Sequence, residues 1–177
     1  MARLPYAPID DPGLRDLVGR IVAQRGEVPH LYQMLLHSPP IAEGWLQLMT
    51  AVRQKASLPG TLRELIIIRI ALLNDAPYEA EQHRPIAIHE GCRLDQIDAL
   101  ADWERRPELF GEAERIVLAL TDRLTRDVRV DAESWQLART RWTDREIVEI
   151  VATIASYNMV SRVLVALDIH SDDPRPA

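Results

Sequence analysis

Apolar residues recur at helical spacing along almost the whole chain, and no segment alternates apolar and polar residues as a half-buried strand does. Glycine, which marks tight turns between strands, accounts for only 7 of 177 residues. We therefore expect an all-α fold, a single-domain bundle of eight or nine helices over residues 1–177 with a frayed tail at 171–177. The spacing predicts helices over 11–25, 31–35, 40–56, 62–74, 77–91, 94–104, 112–126, 131–140 and 143–167.

The composition excludes several classes of protein. Hydrophobic residues make up 47% of the chain and charged residues 27%, as in ordinary globular proteins. The net charge of −6 argues against a nucleic-acid partner, because phosphate binding needs concentrated Lys and Arg. The apolar run Leu65–Ile68 is too short to span a bilayer, and residues 1–13 do not look like a signal peptide. A single cysteine, Cys92, excludes an internal disulfide. We expect a cytoplasmic protein without a membrane partner.

The segment 61–91 carries the residues most suggestive of chemistry. The helix predicted at 62–74 is apolar on nearly all sides, which indicates a central position, yet it contains Glu64. The next helix carries Glu79 and His83 four residues apart, on one face, and Gly91 is a plausible C′ residue at its end. An antiparallel hairpin over 61–91 can bring all three side chains to one pocket.

Each of these residues also has an ordinary interpretation. Glu64 lies three residues after Thr61, a predicted N-cap, and so matches a capping box. Glu79 and His83 can form an exposed i, i+4 pair that merely supports the helix. The joint arrangement favours the chemical interpretation, because an imidazole between two carboxylates is a proton-transfer device near neutral pH. Pro85, inside the same helix, is expected to kink it beside His83.

Other candidate residues are weaker. Arg69 and Arg84 lie near the hairpin and could bind a substrate carboxylate, although both can equally be surface charges. No set of histidines has metal-ligand spacing with a third ligand, so we predict no metal, and no phosphate-binding or dinucleotide motif predicts a cofactor. A faint internal repeat relates the sequence at 63–66 to that at 145–148, with Tyr157 as the counterpart of Tyr78.

From Arg63-Glu64 through His83 to Gly91, the sequence resembles the carboxymuconolactone decarboxylase and alkylhydroperoxidase D-like (AhpD-like) superfamily. Segments 37–42 and 157–162 extend the resemblance over most of the chain. It implies an all-helical fold, assembly as a homo-oligomer (dimer, trimer or hexamer), and a relay glutamate and histidine at Glu64 and His83. The peroxidase branch of the superfamily carries a Cys-x-x-Cys pair where this chain has Ala76 and Glu79, so thiol peroxidase activity is not expected.

The decarboxylase branch is similar to what remains, and it uses no cofactor. By this resemblance we expect a lyase acting on a small lactone or keto acid, with His83 as proton donor, Glu79 orienting it and Glu64 holding or relaying the proton. Two alternatives stay open. One is a different small-molecule enzyme on the same scaffold, such as a hydrolase, isomerase or cyclase. The other is a non-catalytic oligomeric domain in which Glu64 and His83 are a structural pair.

Overall fold

The computed structural model of the protein describes residues 1–174, and this part of the chain contains helices and no strands. The α-helices are α1 (Arg15–Arg25), α2 (His30–Leu35), α3 (Pro39–Thr50), α4 (Gly60–Leu73), α5 (Pro77–His89), α6 (Leu94–Ala99), α7 (Glu112–Arg126), α8 (Ala132–Arg141) and α9 (Asp144–Leu167). Short 3-10 helices cover Pro12–Leu14, Leu100–Arg105 and Pro107–Leu109, and a π-helix, Ala51–Lys55, extends α3. The all-α prediction is confirmed.

The described residues form two compact units, one of residues 1–55 with the chain from 164 onward and one of residues 56–163. In the first unit, α1, α2 and α3 pack on one another. The hydroxyl of Tyr6 donates to the carboxylate of Asp173, which is buried in the segment predicted to fray. The last three residues of that tail, 175–177, lie outside the described residues. That the chain is one domain stays a prediction.

In the second unit, α4 is the central helix. Every side chain from Leu62 to Ala71 is buried, because α5, α7 and the 3-10 helix Leu100–Arg105 pack around it. This agrees with the apolar character of the segment on nearly all sides. An adjoining core of aliphatic and aromatic side chains is formed by Leu65, Ile68, Ala87, Cys92, Ile97, Ala99, Leu100, Trp103, Phe110 and Leu118.

The capping box predicted at the start of α4 is wrong. The helix begins at Gly60 with Pro59 as N-cap, two residues earlier than expected, and no side chain caps it. Glu64 therefore lies beyond the first turn, and the N-cap proline has no N–H to donate to its carboxylate. The related sequence at α9 does form this motif, since Thr143 and Glu146 exchange side-chain to backbone hydrogen bonds.

The end of α5 is as the sequence predicted. Gly91 has a φ of +100°, the amide of Cys92 donates to the carbonyl of Ala87, and the amide of Gly91 donates to the carbonyl of Ile88. These two bonds are a Schellman motif with glycine at C′. The helix runs unbroken through Pro85 to His89. The turn at residues 74–76 and this C-terminal stop fix the hairpin of α4 and α5, which places Glu64 opposite His83.

Helix α9 has one property that the sequence analysis did not anticipate. In the described part of the chain it alone is long and apolar enough to cross a membrane by length and composition, with a mean hydropathy of 1.6 over its most apolar window. Half of that window is buried inside the structure, and core helices of globular proteins pass the same test. This is weak support for a membrane span.

Candidate proton-transfer site

Glu64, Glu79 and His83, the three residues singled out in the sequence, lie together between α4 and α5. The Nδ1 atom of His83 is 2.6 Å from Oε2 of Glu64, and its Nε2 atom is 3.2 Å from Oε1 of Glu79. The side chains are nearly withdrawn from solvent, with exposed fractions of 0% for Glu64, 5% for His83 and 7% for Glu79. The imidazole is thus held between two carboxylates, one at each ring nitrogen.

Three further side chains complete the surroundings of this triad. Nε of Arg63 donates to the second oxygen of Glu64 at 3.0 Å, and Nη2 of Arg63 donates to Glu90 at 2.8 Å. The ring of Tyr157 from α9 packs edge-on against the His83 ring, with centroids 5.3 Å apart and planes at 90°. Charges of alternating sign therefore run from Glu90 through Arg63, Glu64 and His83 to Glu79.

The contacts of His83 favour its charged form. Burial, the largest influence, lowers the pKa of His83, but the charges of Glu79 and Glu64 and the hydrogen bonds to them act in the opposite direction. Together they raise its pKa above the ordinary 6.5. Since a carboxylate oxygen lies at each ring nitrogen, both nitrogens are placed to donate, and the site favours the imidazolium more than solvent does.

Glu64 is shifted the other way. Burial, again the largest influence, acts to raise the pKa of Glu64, but the hydrogen bond and charge of His83 and the charge of Arg63 outweigh it. The result is a pKa below the ordinary 4.5, so Glu64 is a carboxylate at neutral pH. The buried pair of Glu64 and His83 is consequently an ion pair, and Arg63 provides a second cation for the same anion.

The two candidate substrate-binding arginines lie elsewhere. Arg69 is buried in a two-bond ion pair with Asp122, with distances of 2.6 and 2.7 Å, and it also donates to the carbonyls of Leu100 and Ala101. Four N–H donors of its guanidinium are thereby occupied. Arg84 is on the exposed side of α5, paired with Asp98 at 2.7 Å. The structure brings neither guanidinium to His83. Arg84 is a surface charge, as the sequence also allowed, whereas Arg69 is buried, so the interpretation of Arg69 as a surface charge is wrong.

Sequence reasoning did not assign roles to Arg63, Glu90 or Tyr157. Neighbouring residues on a helix normally point apart, so the contact of Arg63 with Glu64 does not follow from their positions. Glu90 lies beyond the last residue of α5 and meets Arg63 only because the hairpin closes. The internal repeat did single out Tyr157, but only as a counterpart of Tyr78.

In residues 1–174, no group of three or more His, Cys, Asp or Glu side chains has an arrangement that could hold a metal ion. The oxygens of Glu64 and Glu79 nearest to the triad's imidazole are already engaged by its two nitrogens. That the protein uses neither metal nor cofactor stays a prediction.

Comparison with known proteins agrees with this arrangement. The model of the carboxymuconolactone decarboxylase family matches residues 39–123, a stretch that contains α4, α5 and the whole triad. The alkylhydroperoxidase AhpD core of an uncharacterized peroxidase-related protein from Ralstonia eutropha superposes over 97% of this chain and 93% of its own, with a TM-score of 0.82 and 18% identity. The chain therefore has an AhpD-like fold, and just under half of it, residues 39–123, matches the carboxymuconolactone decarboxylase family.

Two other proteins are also similar to this chain. Debrominase Bmp8, solved with 2,3,4-tribromopyrrole and with a cysteine replaced by alanine, superposes over 94% of this chain and 89% of its own, with a TM-score of 0.78 and 20% identity. The uncharacterized protein YdfG of Bacillus subtilis is 25% identical over 121 residues, which are 67% of this chain and 82% of that protein. At these identities the structural likeness shows a shared fold, and a shared fold does not define a reaction.

The single thiol of the chain, that of Cys92, is in the wrong state for nucleophilic chemistry. Cys92 follows α5, and its Sγ donates to the carbonyl of Thr61 at 3.5 Å. Burial, followed by the charges of Glu64, Glu114 and Glu90, raises the pKa of Cys92 to about 11. Because the reactive form of cysteine is the thiolate, Cys92 is almost entirely unreactive at neutral pH.

Proposed function

We propose that the protein is a cofactor-free lyase that acts on a small lactone or keto acid by proton transfer through His83, in the manner of carboxymuconolactone decarboxylase. The observation that carries this proposal is the His83 ring held between Glu64 and Glu79, with a carboxylate oxygen 2.6 Å from one ring nitrogen and 3.2 Å from the other. A positively charged acid with a fixed orientation is what such a reaction needs to protonate a carbanion-like intermediate.

The two carboxylates have different roles in this proposal. Glu64 is 0% exposed, so it cannot contact a substrate; it fixes Nδ1 and keeps the ring charged. Glu79 is the carboxylate nearer to solvent, and its longer contact of 3.2 Å is the weaker of the two. Nε2 is therefore the reactive nitrogen. It donates its proton to the substrate either directly, when the side chain of Glu79 moves aside, or through the carboxylate of Glu79.

The chemistry can be balanced without an added reagent. The bond between the substrate carboxylate and its ring carbon breaks, carbon dioxide leaves, and the electron pair moves through the conjugated alkene to the lactone carbonyl oxygen. The Nε2–H bond of His83 then breaks as a new C–H bond forms at the α-carbon. The neutral imidazole regains its proton from solvent by way of Glu79.

Thiol chemistry of the kind implied by the names of the peroxidase-related relatives is not part of this proposal. Ala76 and Glu79 occupy the positions of the Cys-x-x-Cys pair, and Cys92 has a pKa of about 11. A variant without Cys92 is expected to keep its activity. Another small-molecule reaction on the same scaffold, such as a hydrolysis, isomerisation or cyclisation, would use the same proton donor.

A second candidate function is favoured by the closed form of the site. With 5% of the His83 side chain exposed, the triad also fits a structural charge cluster in a non-catalytic oligomeric domain. The two functions differ in what a loss of Nε2 does. If the triad is a structural cluster, the variant protein is less stable and the wild type has no activity. If the protein is a lyase, the variant loses turnover.

The test is a decarboxylation assay on γ-carboxymuconolactone, followed by the loss of substrate absorbance and by deuterium incorporation from heavy water. The variant His83→Asn retains a donor near Glu64 but has no counterpart of Nε2. His89→Asn is the matched control, because His89 lies on the same helix and is exposed. We expect turnover by wild type and His89→Asn, with deuterium at the α-carbon, and at least a 100-fold loss in His83→Asn, in line with the roughly 10²–10⁴-fold contribution of general acid catalysis.

Absence of turnover on this lactone and on a panel of related unsaturated lactone and keto acids would contradict the lyase proposal. Turnover that His83→Asn retains would contradict the role of His83. Folding of each variant is checked by circular dichroism, so that a loss of activity is not a loss of structure.

A further inference from the structure

We propose that Arg63 is a positioning residue of the proton-transfer site, holding Glu64 in the orientation that faces His83, and that Glu90 and Gly60 in turn hold Arg63. The catalytic part of this inference rests on the proposed function. The positioning part does not, because it concerns the ground state of the protein. The contacts of Arg63, Glu90 and Gly60 are with one another and with Glu64 rather than with His83, so they act through Glu64.

The hydrogen bonds of Glu64 carry the first step. Its two carboxylate oxygens are divided between two partners, with Oε2 accepting from His83 at 2.6 Å and Oε1 accepting from Arg63 at 3.0 Å. Because the carboxylate is planar, fixing both oxygens fixes the rotation of the group. Arg63 thus determines the direction in which Oε2 approaches the imidazole.

The second step is the unusual path of the Arg63 side chain. Arg63 precedes Glu64 directly, and consecutive residues on a helix point apart. The guanidinium reaches Glu64 with Nε while Nη2 reaches Glu90 at 2.8 Å, so the side chain bends along α4 between two carboxylates. Only arginine has donors in a rigid fork that can serve both acceptors at once, and lysine cannot. Arg63 is 9% exposed, and this confinement strengthens both contacts.

The third step is the space that Gly60 leaves. A Cβ atom at Gly60 would lie 1.8 Å from Oε2 and 2.4 Å from Cδ of Glu90, which is far inside van der Waals contact. The carboxylate of Glu90 therefore occupies the position that any other residue at the start of α4 would fill. The φ of Gly60 is not positive, so the backbone does not require glycine there. A Cβ atom there would instead push aside the Glu90 carboxylate, which is the flexible end of a partly exposed side chain, and so disturb its contact with Arg63.

The charged and titratable groups recorded in contact with His83 come from three helices. They are Glu64 from α4, Glu79 from α5 itself, and Tyr157 from α9, with Arg63 behind Glu64. Within the triad, Arg63 acts on Glu64, since its charge lowers the pKa of Glu64. Loss of Arg63 should accordingly appear first in the titration of Glu64.

The first experiment compares Arg63→Gln and Arg63→Lys with wild type by carboxyl carbon NMR of Glu64 as a function of pH. An adjacent opposite charge lowers the pKa of a carboxyl by about 1–3 units, so we expect the titration of Glu64 to move up by about that amount in Arg63→Gln. Arg63→Lys should restore most of the shift, because the charge is kept. In the active enzyme, the acid-side midpoint of the profile of kcat against pH should shift to higher pH, by more in Arg63→Gln than in Arg63→Lys.

The second experiment leaves every charged residue in place. In Gly60→Ala the new methyl group displaces Glu90 from Arg63, and Gly44→Ala is the control, because a Cβ atom at Gly44 in α3 meets nothing within 4 Å. We expect the Nε–H proton of Arg63 to exchange with solvent at least several times faster in Gly60→Ala than in wild type, and at the wild-type rate in Gly44→Ala.

An unchanged titration of Glu64 in folded Arg63→Gln would overturn the inference, as would an unchanged exchange rate of the Arg63 Nε–H in Gly60→Ala. Both readouts are obtained without a substrate. If they change as expected while no lactone is turned over, the proposed function fails and the positioning of Glu64 by Arg63 stands. If turnover is found and neither readout changes, the positioning inference fails alone.

Discussion

At the scale of single residues, the site depends on how two cationic side chains share the one buried carboxylate of Glu64. Glu64 contacts both His83 and Arg63, and these two cations offset the cost of burying it completely. The i, i+4 spacing of Glu79 and His83 was sufficient to predict their contact from the sequence. The contact of Arg63 with Glu64 was not predictable, because it depends on a side-chain path that helix geometry alone disfavours.

The ion pair of Glu64 and His83 predicts how the stability of the protein depends on pH. The raised pKa of His83 contributes stability that is complete below 6.5 and is lost as the pH rises through the folded-state pKa. The lowered pKa of Glu64 contributes stability that is present above 4.5 and is lost as the pH falls through its folded-state pKa. The pair therefore stabilises the fold most between about 4.5 and 6.5.

This is checked by urea unfolding of wild type and of the double variant Glu64→Gln, His83→Asn from pH 4 to 9. The difference in unfolding free energy should be greatest between pH 4.5 and 6.5 and should fall on both sides. The exposed control His89→Asn should give a difference that does not follow this profile. A wild-type advantage that increases steadily above pH 7 would contradict the assignment of His83 as an imidazolium.

Cys92 offers a second prediction at this scale. Its thiol, with a pKa of about 11 and a hydrogen bond to Thr61, should react with iodoacetamide at pH 7.5 about 100-fold or more slowly than a free cysteine of pKa about 8.5, since the thiolate is the reactive species. The measurement is the rate of mass increase in the folded protein, with the unfolded protein as reference. Equal rates in the two states would show that Cys92 is accessible and ionised.

At the scale of elements, the hairpin of α4 and α5 sets the geometry of the site. Its outline followed from the sequence: the uniformly apolar segment predicted a central helix, and Gly91 predicted where α5 ends. The start of α4 was predicted two residues too late, because a Thr-x-x-Glu pattern resembles a capping box wherever it occurs. Glu146 does cap α9, whereas Glu64 does not cap α4, because α4 begins before Thr61 and the Glu64 carboxylate accepts from His83 instead.

Gly91 should be difficult to replace for a purely conformational reason. A Cβ atom there would meet only Thr61 Cγ2, at an ordinary 3.7 Å, but the φ of +100° is unfavourable for other residues. Gly91→Ala is expected to lower the free energy of unfolding by about 1–2 kcal/mol, measured by urea denaturation. Gly19→Ala, inside α1 with nothing within 4 Å, is expected to raise it by about 0.5–1 kcal/mol. Equal effects of the two substitutions would contradict this account of the α5 C-terminus.

At the scale of the whole molecule, one apolar surface, on α9, is suited to the contact that the expected homo-oligomer needs. The sequences of two helical segments, 62–74 and 143–167, are apolar on more than one side. The structure buries the first within its own unit, so only the second can contribute an apolar surface. Along α9, an exposed or half-exposed stripe at helical spacing consists of Val148, Val151, Ala152, Ala155, Met159 and Val163. Apolar stripes of this kind are typical of contacts between copies of a chain.

We propose that this α9 stripe packs against a second copy of the chain. Val148→Arg and Ala155→Arg should each reduce the mass measured by light scattering after gel filtration, because a charge is placed in an apolar contact. Leu137→Arg is the control, since Leu137 is an exposed apolar residue on a different helix, α8. Loss of assembly in the control and not in the α9 variants would show that another surface is used. The sequence predicts assembly from its excess of apolar helix surface, but the number of copies depends on contact geometry.

The central claim is that His83 is a charged acid held between two carboxylates, and the ring nitrogens of His83 report it directly. In nitrogen-15 NMR of the labelled protein at pH 7, compared with His83→Asn to assign the signals, we expect both nitrogens of His83 to be protonated. The titration midpoint should lie above 6.5, as the raised pKa requires. A neutral ring at pH 7, with one protonated and one bare nitrogen, would contradict the account of the site.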